Sequence, residues 1–593
     1  MIGVISLLVP PFLLSYIREK VIKKEESVYA RVFHYALSVL LLNFVMILIL
    51  CYGFDSRDNF FYKLNQYNEF ALKYMLLSSI LAVAEPYAEQ FFRSRVAVKI
   101  KWSGCGRMKG RGNGKLAVGI YAAALFLLNF IRIFDNNFWG DEAYSLLLVK
   151  KTIPDIIQGT AADVHPPLYY IFLRAAYVLF GDQGWACHMV SLIPCGLIIV
   201  FCMTAVWKTF GAEAAVLLIT LACLSGNAVS YNMEVRMYSW GALFVLLTFY
   251  ELYRILRQER ILHYVLFVLF SLAAAYTHYY CLLSVAFFYA VLLGLALFRR
   301  RLSVAKTTVS ALCMAAGYMP WFVILFKTIR RVEKNYWIDS VPELWQSLRY
   351  LFSSQFKPIV WGMVLVGVLL GILYETKVLR IERSSGGKIT LCLSGECAES
   401  SALFLWIASG AVSVLGTILA AIIVSKVMRP VYVLRYIYPV STVAWMILAV
   451  SVARLKGKKI YTVLLLAYML SVFGPAYLST YAYEKSANKN LQETLAVTKE
   501  KMGEGDVILT DIPHMAWTIG HYYYPDNQVK GVKMSELTKL EQGGYWLIVA
   551  RQQEMGDTLE ILTEQGFDWE KVIGWGNLGT HDVDIYHLWD SGQ

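Results

Sequence analysis

Two short stretches set acids, rings and a histidine close enough to do chemistry together. Asp135-Asn136-Asn137-Phe138-Trp139-Gly140-Asp141-Glu142-Ala143-Tyr144 carries adjacent carboxylates between two aromatic residues, just past an apolar run. Further on, Asp163-Val164-His165-Pro166-Pro167-Leu168 enters another apolar stretch, and its prolines fix the chain and offer a helix start. A positioned carboxylate can take a proton from a hydroxyl during bond formation. Taken singly, each stretch also has a plain structural reading: a solvated acidic turn, or a capping aspartate beside a surface histidine. It is the pair that points to a site.

Cations stand in two other places. Tyr231-Asn232-Met233-Glu234-Val235-Arg236-Met237-Tyr238 fills the turn between two apolar runs, and Met428-Arg429-Pro430-Val431-Tyr432-Val433-Leu434-Arg435-Tyr436 leads into another. Guanidinium forks match phosphate oxygens and stay charged near lipid. The structural alternative for Arg236 is a snorkelling side chain paired with Glu234. Arg435 falls at the mouth of a span, where an ionisable group needs a partner. His278-Tyr279-Tyr280 sits at a further turn and reads as pocket lining. Lys327, Arg330, Arg331, Lys334 and Trp337 read as a basic, aromatic loop that meets phosphate or lipid headgroups.

The elements that must hold these residues are membrane helices. The chain has 593 residues, 58% hydrophobic and 17% charged, with 15% aromatic, and a mean hydropathy of +0.50. Soluble domains carry about 25% charged residues. This composition excludes a soluble enzyme, a disordered regulator and a fibrous repeat. Apolar runs long enough to cross a bilayer are expected at 2–17, 32–53, 71–92, 116–134, 187–207, 212–229, 238–254, 262–278, 280–298, 307–326, 359–375, 402–424, 433–452 and 460–480, about 14 in all. The long 262–298 run is divided at Tyr279.

The net charge of +12 does not signal nucleic acid, because the basic residues cluster between apolar runs. Alternate loops hold 29 of the 55 Lys and Arg residues, and those loops are expected to face the cytoplasm. This topology forbids counting 166–181 as a span, since every later loop would then reverse. The segment is short and carries Arg174, so it is expected to lie in the outer interface. Residues 135–186 become one outward loop, and the catalytic motifs share its side of the bilayer.

From about 485 the pattern changes. Strands are expected at 506–510, 545–550 and 583–588, and helices at 513–523 and 553–565, the latter closed by Gly566. The sequence therefore divides into 1–115, with three extra spans and a basic loop; 116–484, the membrane core; and 485–593, a small α/β domain outside the membrane. No GxxxxGK[ST] loop is present, and no nucleotide site is expected. Ten cysteines include no CxxC pair, and Cys392 with Cys397 makes a weak metal site.

Asp141-Glu142-Ala143-Tyr144 followed by Asp163-x-His165-Pro166-Pro167-Leu168 resembles the protein O-mannosyltransferase and aminoarabinose transferase group, GT-C fold glycosyltransferases of family 39. The resemblance covers about 116–480, and loosely the tail. Where the mannosyltransferases often continue HPPL with a lysine two residues on, Tyr169 and Tyr170 follow here, so the resemblance does not fix mannose as the sugar or a protein as the acceptor. The resemblance implies a bacterial, multi-pass plasma-membrane enzyme that moves a sugar from a polyprenyl-phosphate donor to an acceptor hydroxyl on a glycan, glycolipid or protein. Asp141 matches the catalytic aspartate, Glu142 the adjoining acid, and Arg236, Arg435 and Tyr436 the donor-phosphate contacts. Asp163, His165, Glu234, Tyr238, His278 and Tyr279 line the expected substrate pocket. Inversion at the anomeric carbon follows from a single base opposite the leaving group.

No cofactor is expected, because the group generally works without a divalent cation. Asp141 with Asp163 is the one pair that could hold Mg²⁺ or Mn²⁺ through oxygen. A lipid-linked-sugar transporter or flippase is the competing class. It should show two related halves and mid-membrane ionisable residues, whereas the polar motifs here gather on one face.

Overall fold

The computed structural model describes residues 112–134, 138–299, 302–334, 338, 340–353, 379–383, 389–393, 398–454, 458–503, 506–512, 515–516, 519–533, 544–550, 555–578 and 581–590. The expected spans before residue 112 and at 359–375 lie outside the described residues. The helices are α1 (Gly112–Phe130), α2 (Gly140–Val149), α3 (Ile153–Ala162), α4 (Leu168–Phe180), α5 (Gly184–Phe210), α6 (Ala212–Leu224), α7 (Gly226–Tyr231), α8 (Tyr238–Arg257), α9 (Ile261–Thr277), α10 (Tyr279–Arg299), α11 (Val304–Lys334) and α12 (Leu344–Tyr350). A hairpin of β1 (Leu379–Arg383) and β2 (Ile389–Leu393) follows, then α13 (Ala398–Val427), a 3-10 turn Leu434–Ile437, α14 (Tyr438–Arg454) and α15 (Lys458–Lys501).

Seven of these helices are long and apolar enough to cross a membrane, and the chain is a multi-pass membrane protein. The expected spans at 116–134, 212–229 and 262–278 are shorter apolar helices. The 212–229 run breaks at Ser225, whose extended backbone (ψ 141°) separates α6 from α7. At the α9–α10 junction, His278 is extended (φ −158°, ψ 142°), one residue before the expected division. As anticipated, Leu168–Phe180 is a short separate helix, closed by Gly181 at φ 73°.

α14 sits at the centre, buried along its whole length between α6, α8, α13 and α15. Aromatic rings fill the layer around it: Phe210, Trp406, Phe249 and Phe288 stack in succession with centroids 4.3 to 5.4 Å apart. α13 approaches this stack so closely that a Cβ on Gly410 would lie 2.5 Å from Phe249. By contrast α11 presents Leu312, Phe322 and Phe326 outward, as a lipid-facing helix does.

The tail holds β3 (Val507–Thr510), β4 (Gln528–Gly531), β5 (Tyr545–Ala550), α16 (Gly556–Glu564), β6 (Phe567–Leu578) and β7 (His581–Asp590). They form one sheet in the order β4-β3-β5-β7-β6, with β4, β3 and β5 parallel and the last two pairings antiparallel. The three expected strands are present. β4 and β6 join them, unannounced by any continuous apolar run: β4 is a polar edge, and β6 is broken by two register shifts. Gly566 at φ 90° ends α16, a left-handed closure that glycine adopts without strain. Where a helix was expected over 513–523, the described residues show a wide helical turn at Ile519–Tyr523. α15 runs unbroken through residue 485 and carries the chain from membrane core to sheet.

Candidate active site

The site is built on the first turn of α2. Trp139 stands at the N-cap of this helix, and Glu142 at its third position accepts the Trp139 N–H through Oε2 at 3.1 Å, the carboxylate half of a capping box. Its other oxygen accepts the Val235 N–H at 2.7 Å. Glu142 is therefore a buried fastener joining α2 to the 232–237 turn. Asp141, one residue earlier, is about a third exposed and points elsewhere. Its Oδ2 lies 3.2 Å from Arg435 Nη2 and 3.9 Å from Arg236 Nη2.

The two arginines arrive from distant segments. Arg236 is buried in the turn before α8, and its Nη1 donates to the Asp141 carbonyl (3.1 Å), Tyr170 OH (3.2 Å) and Ser145 Oγ (3.4 Å). It thus turns inward onto α2 and α4 rather than out toward lipid. Arg435 comes from the 3-10 turn before α14, with its guanidinium 5.3 Å from the Trp139 ring centre and 5.9 Å from that of Tyr436. Cation–ring contacts of this kind steady a guanidinium without neutralising it. Ser145 and Tyr170 carried no role in the sequence. Ser145 lies one turn beyond Asp141, and that spacing is the signal that could have found it.

The histidine motif borders the same place. His165 stacks on His278 with centroids 5.5 Å apart, and Tyr436 lies 6.2 Å from the first ring and 5.1 Å from the second. Tyr238 is 5.7 Å from His278. The Tyr280 N–H donates to His278 Nδ1 at 3.2 Å, so the neutral ring carries its proton on Nε2. His278 Nε2, His165 Nδ1, Tyr238 OH and Glu234 Oε1 are enclosed and have no hydrogen-bond partner among the described residues. Burial pushes the Glu234 carboxyl up to about 7, against the opposing pull of Arg236 and Arg435. Asp163 ends α3, and burial raises its carboxyl above the usual range, with Arg236 opposing.

A cavity of about 180 Å³ opens beside the rings, walled by His165, His278, Tyr279 and Tyr436 and, across from them, by Leu325 of α11 and Val424 of α13. Its exposed surface is almost wholly apolar, with Arg429 also among the lining residues. Tyr279 is tied to α11 by the Trp321 indole N–H, 3.3 Å from its hydroxyl. The expected loop around Lys327 to Lys334 is instead the last two turns of α11. An unbroken 31-residue helix there lets Arg331 donate to the Asp163 carbonyl at 2.5 Å. Trp337 lies outside the described residues.

Two predicted motifs and two predicted cations therefore meet at one end of a helical membrane protein. Residues 164–324 match the family model described as dolichyl-phosphate-mannose-protein mannosyltransferase, a stretch that opens within the His165 motif and takes in Arg236 and His278. This agrees with the resemblance carried by the motifs. No curated protein matches the chain. Among solved structures, similarity is found to ArnT from Cupriavidus metallidurans in the apo state, with TM-score 0.48, 13% identity, and coverage of 80% of this chain and 99% of that one. ArnT from the same organism bound to undecaprenyl phosphate gives 0.46, 14%, 80% and 98%. The arabinofuranosyltransferase AftD from mycobacteria gives 0.42, 10%, 81% and 40%.

Proposed function

We propose that the protein is an integral-membrane glycosyltransferase that moves a sugar from a polyprenyl-phosphate donor to an acceptor hydroxyl at the outer face of the membrane. The observation that carries this reading is the Asp141 carboxylate held between Arg435 and Arg236, at 3.2 and 3.9 Å. A sugar phosphate already has a good leaving group. The reaction needs a base for the acceptor and cations for the departing phosphate. In this arrangement the donor phosphate takes over the guanidinium groups, and the prenyl chain lies in the apolar cavity beside Tyr436. Asp141, released from its ion pairs, accepts the proton of the acceptor hydroxyl as its oxygen bonds to C1. The C1–O bond to phosphate breaks, its electrons stay on the phosphate, and the anomeric centre inverts. Glu142, with both oxygens engaged by backbone N–H groups, positions the turn that bears Arg236.

Binding of undecaprenyl phosphate to the full chain in lipid nanodiscs tests the donor half of this reading. Hydrogen bonds to charged groups are worth about 1.5–3 kcal/mol, so Arg435→Ala should weaken binding roughly 10- to 100-fold. Arg435 is the better probe, because Arg236 also ties α2 to α4 and its loss disturbs packing. Equal affinity in Arg435→Ala rejects the phosphate role.

A further inference from the structure

The far end of the catalytic helix carries a second polar site. Lys150, the residue that closes α2, bonds to Asp182, and Asp182 bonds in turn to His521 of the wide turn at Ile519–Tyr523. The C-terminal domain therefore grips the helix that presents Asp141. Beside this junction lies a crevice of about 250 Å³. Phe134 borders it from the end of α1, Asp182, Gln183 and Trp185 from the α4–α5 junction, Gln492 from α15, and Tyr523 from the C-terminal domain. Ligand cavities favour such junctions between domains.

The chemistry of the lining selects its occupant. The Phe134 and Trp185 rings offer flat apolar faces, with the buried Tyr523 behind them as part of the C-terminal core, and the two amides offer donors and acceptors beside the Asp182 carboxylate, one oxygen of which Lys150 and His521 already hold. No Lys or Arg lines the crevice, so nothing there recognises a phosphate or another anion. Faces for C–H edges beside amides for vicinal hydroxyls suit a neutral saccharide. The site also differs in kind from the apolar cavity near Tyr436. From Asp141 to Lys150 is nine residues of helix, about 14 Å at 1.5 Å per residue, a span that an extended glycan bridges.

We propose that this crevice binds a neutral saccharide portion of the acceptor, whose hydroxyl-bearing end reaches Asp141. The assignment rests on the glycosyltransferase reading and narrows it to an acceptor with an oligosaccharide body. The test uses the full chain in nanodiscs on an array of neutral bacterial oligosaccharides, with undecaprenyl phosphate binding measured in parallel. The unaltered protein should retain at least one oligosaccharide. Trp185→Ala and Gln492→Ala should each weaken retention about tenfold or more, and leave undecaprenyl phosphate binding unchanged. Gln492 is exposed, so its variant reports on binding even if loss of the indole disturbs folding. Trp185→Phe, which keeps a ring, should recover part of the affinity. No retained oligosaccharide, or equal retention by both alanine variants, overturns the proposal and leaves Trp185 as an interfacial anchor. Absence of undecaprenyl phosphate binding in the unaltered protein would instead overturn the donor reading, with the saccharide crevice judged by its own variants.

Discussion

Adjacent carboxylates in one motif face different partners. Both Glu142 oxygens accept backbone N–H groups, while Asp141 faces two guanidinium groups. The motif resemblance set Asp141 as the catalytic aspartate and Glu142 as its neighbour; the helix start gives them different partners, because only the third position of α2 can reach back to the cap. Glu234 is a third acid with its own consequence. Its raised affinity means that between about 4.3, the usual glutamate value, and about 7 the folded protein holds a proton that the unfolded chain has released. The native state is the one binding more protons in that window, so this group's contribution to stability falls as pH rises through it and levels off above about 7. Glu234→Gln removes the effect. The melting temperature of that variant relative to the unaltered protein should rise between pH 5 and pH 8. A difference that is flat across that range would show that Glu234 does not titrate there.

At the scale of elements, α2 is a short rod held at both ends, by Arg435 and Arg236 at Asp141 and by Asp182 and His521 at Lys150. Half-exposed ion pairs contribute roughly 0.5–1 kcal/mol. Asp182→Ala should therefore speed amide hydrogen exchange about two- to fivefold in Ile519–Tyr523 and in the last turn of α2. The capped first turn should be unaffected. Unchanged exchange in both segments would show that the contact does not couple them. Much of the element plan was legible: apolar length marked the helices, and Leu168–Phe180 was expected as a separate short helix. What stayed hidden has physical causes. β4 is a short polar edge strand, β6 pairs through two register shifts that break its alternation, and α15 continues past its apolar part with polar residues that still favour helix.

For the whole molecule, the decisive fact is that residues nearly 300 positions apart in sequence share one end of the bundle. The motifs near 141 and 163 were readable because their chemistry is local. The Tyr170 and Ser145 contacts to Arg236 were not, since they depend on which faces of α2 and α4 meet the turn before α8. The central α14 makes that meeting possible by setting Arg435 at its entrance while its body is buried on all sides. The most direct measurement of the account is a single-turnover assay in nanodiscs with a panel of undecaprenyl-phosphate sugars, following release of undecaprenyl phosphate for the unaltered protein and for Asp141→Asn. Removal of a general base typically costs about 10²–10⁴ in rate. The account predicts sugar-dependent release by the unaltered protein, and a loss of that size in Asp141→Asn with donor affinity retained. Release at equal rates by the two proteins would contradict it.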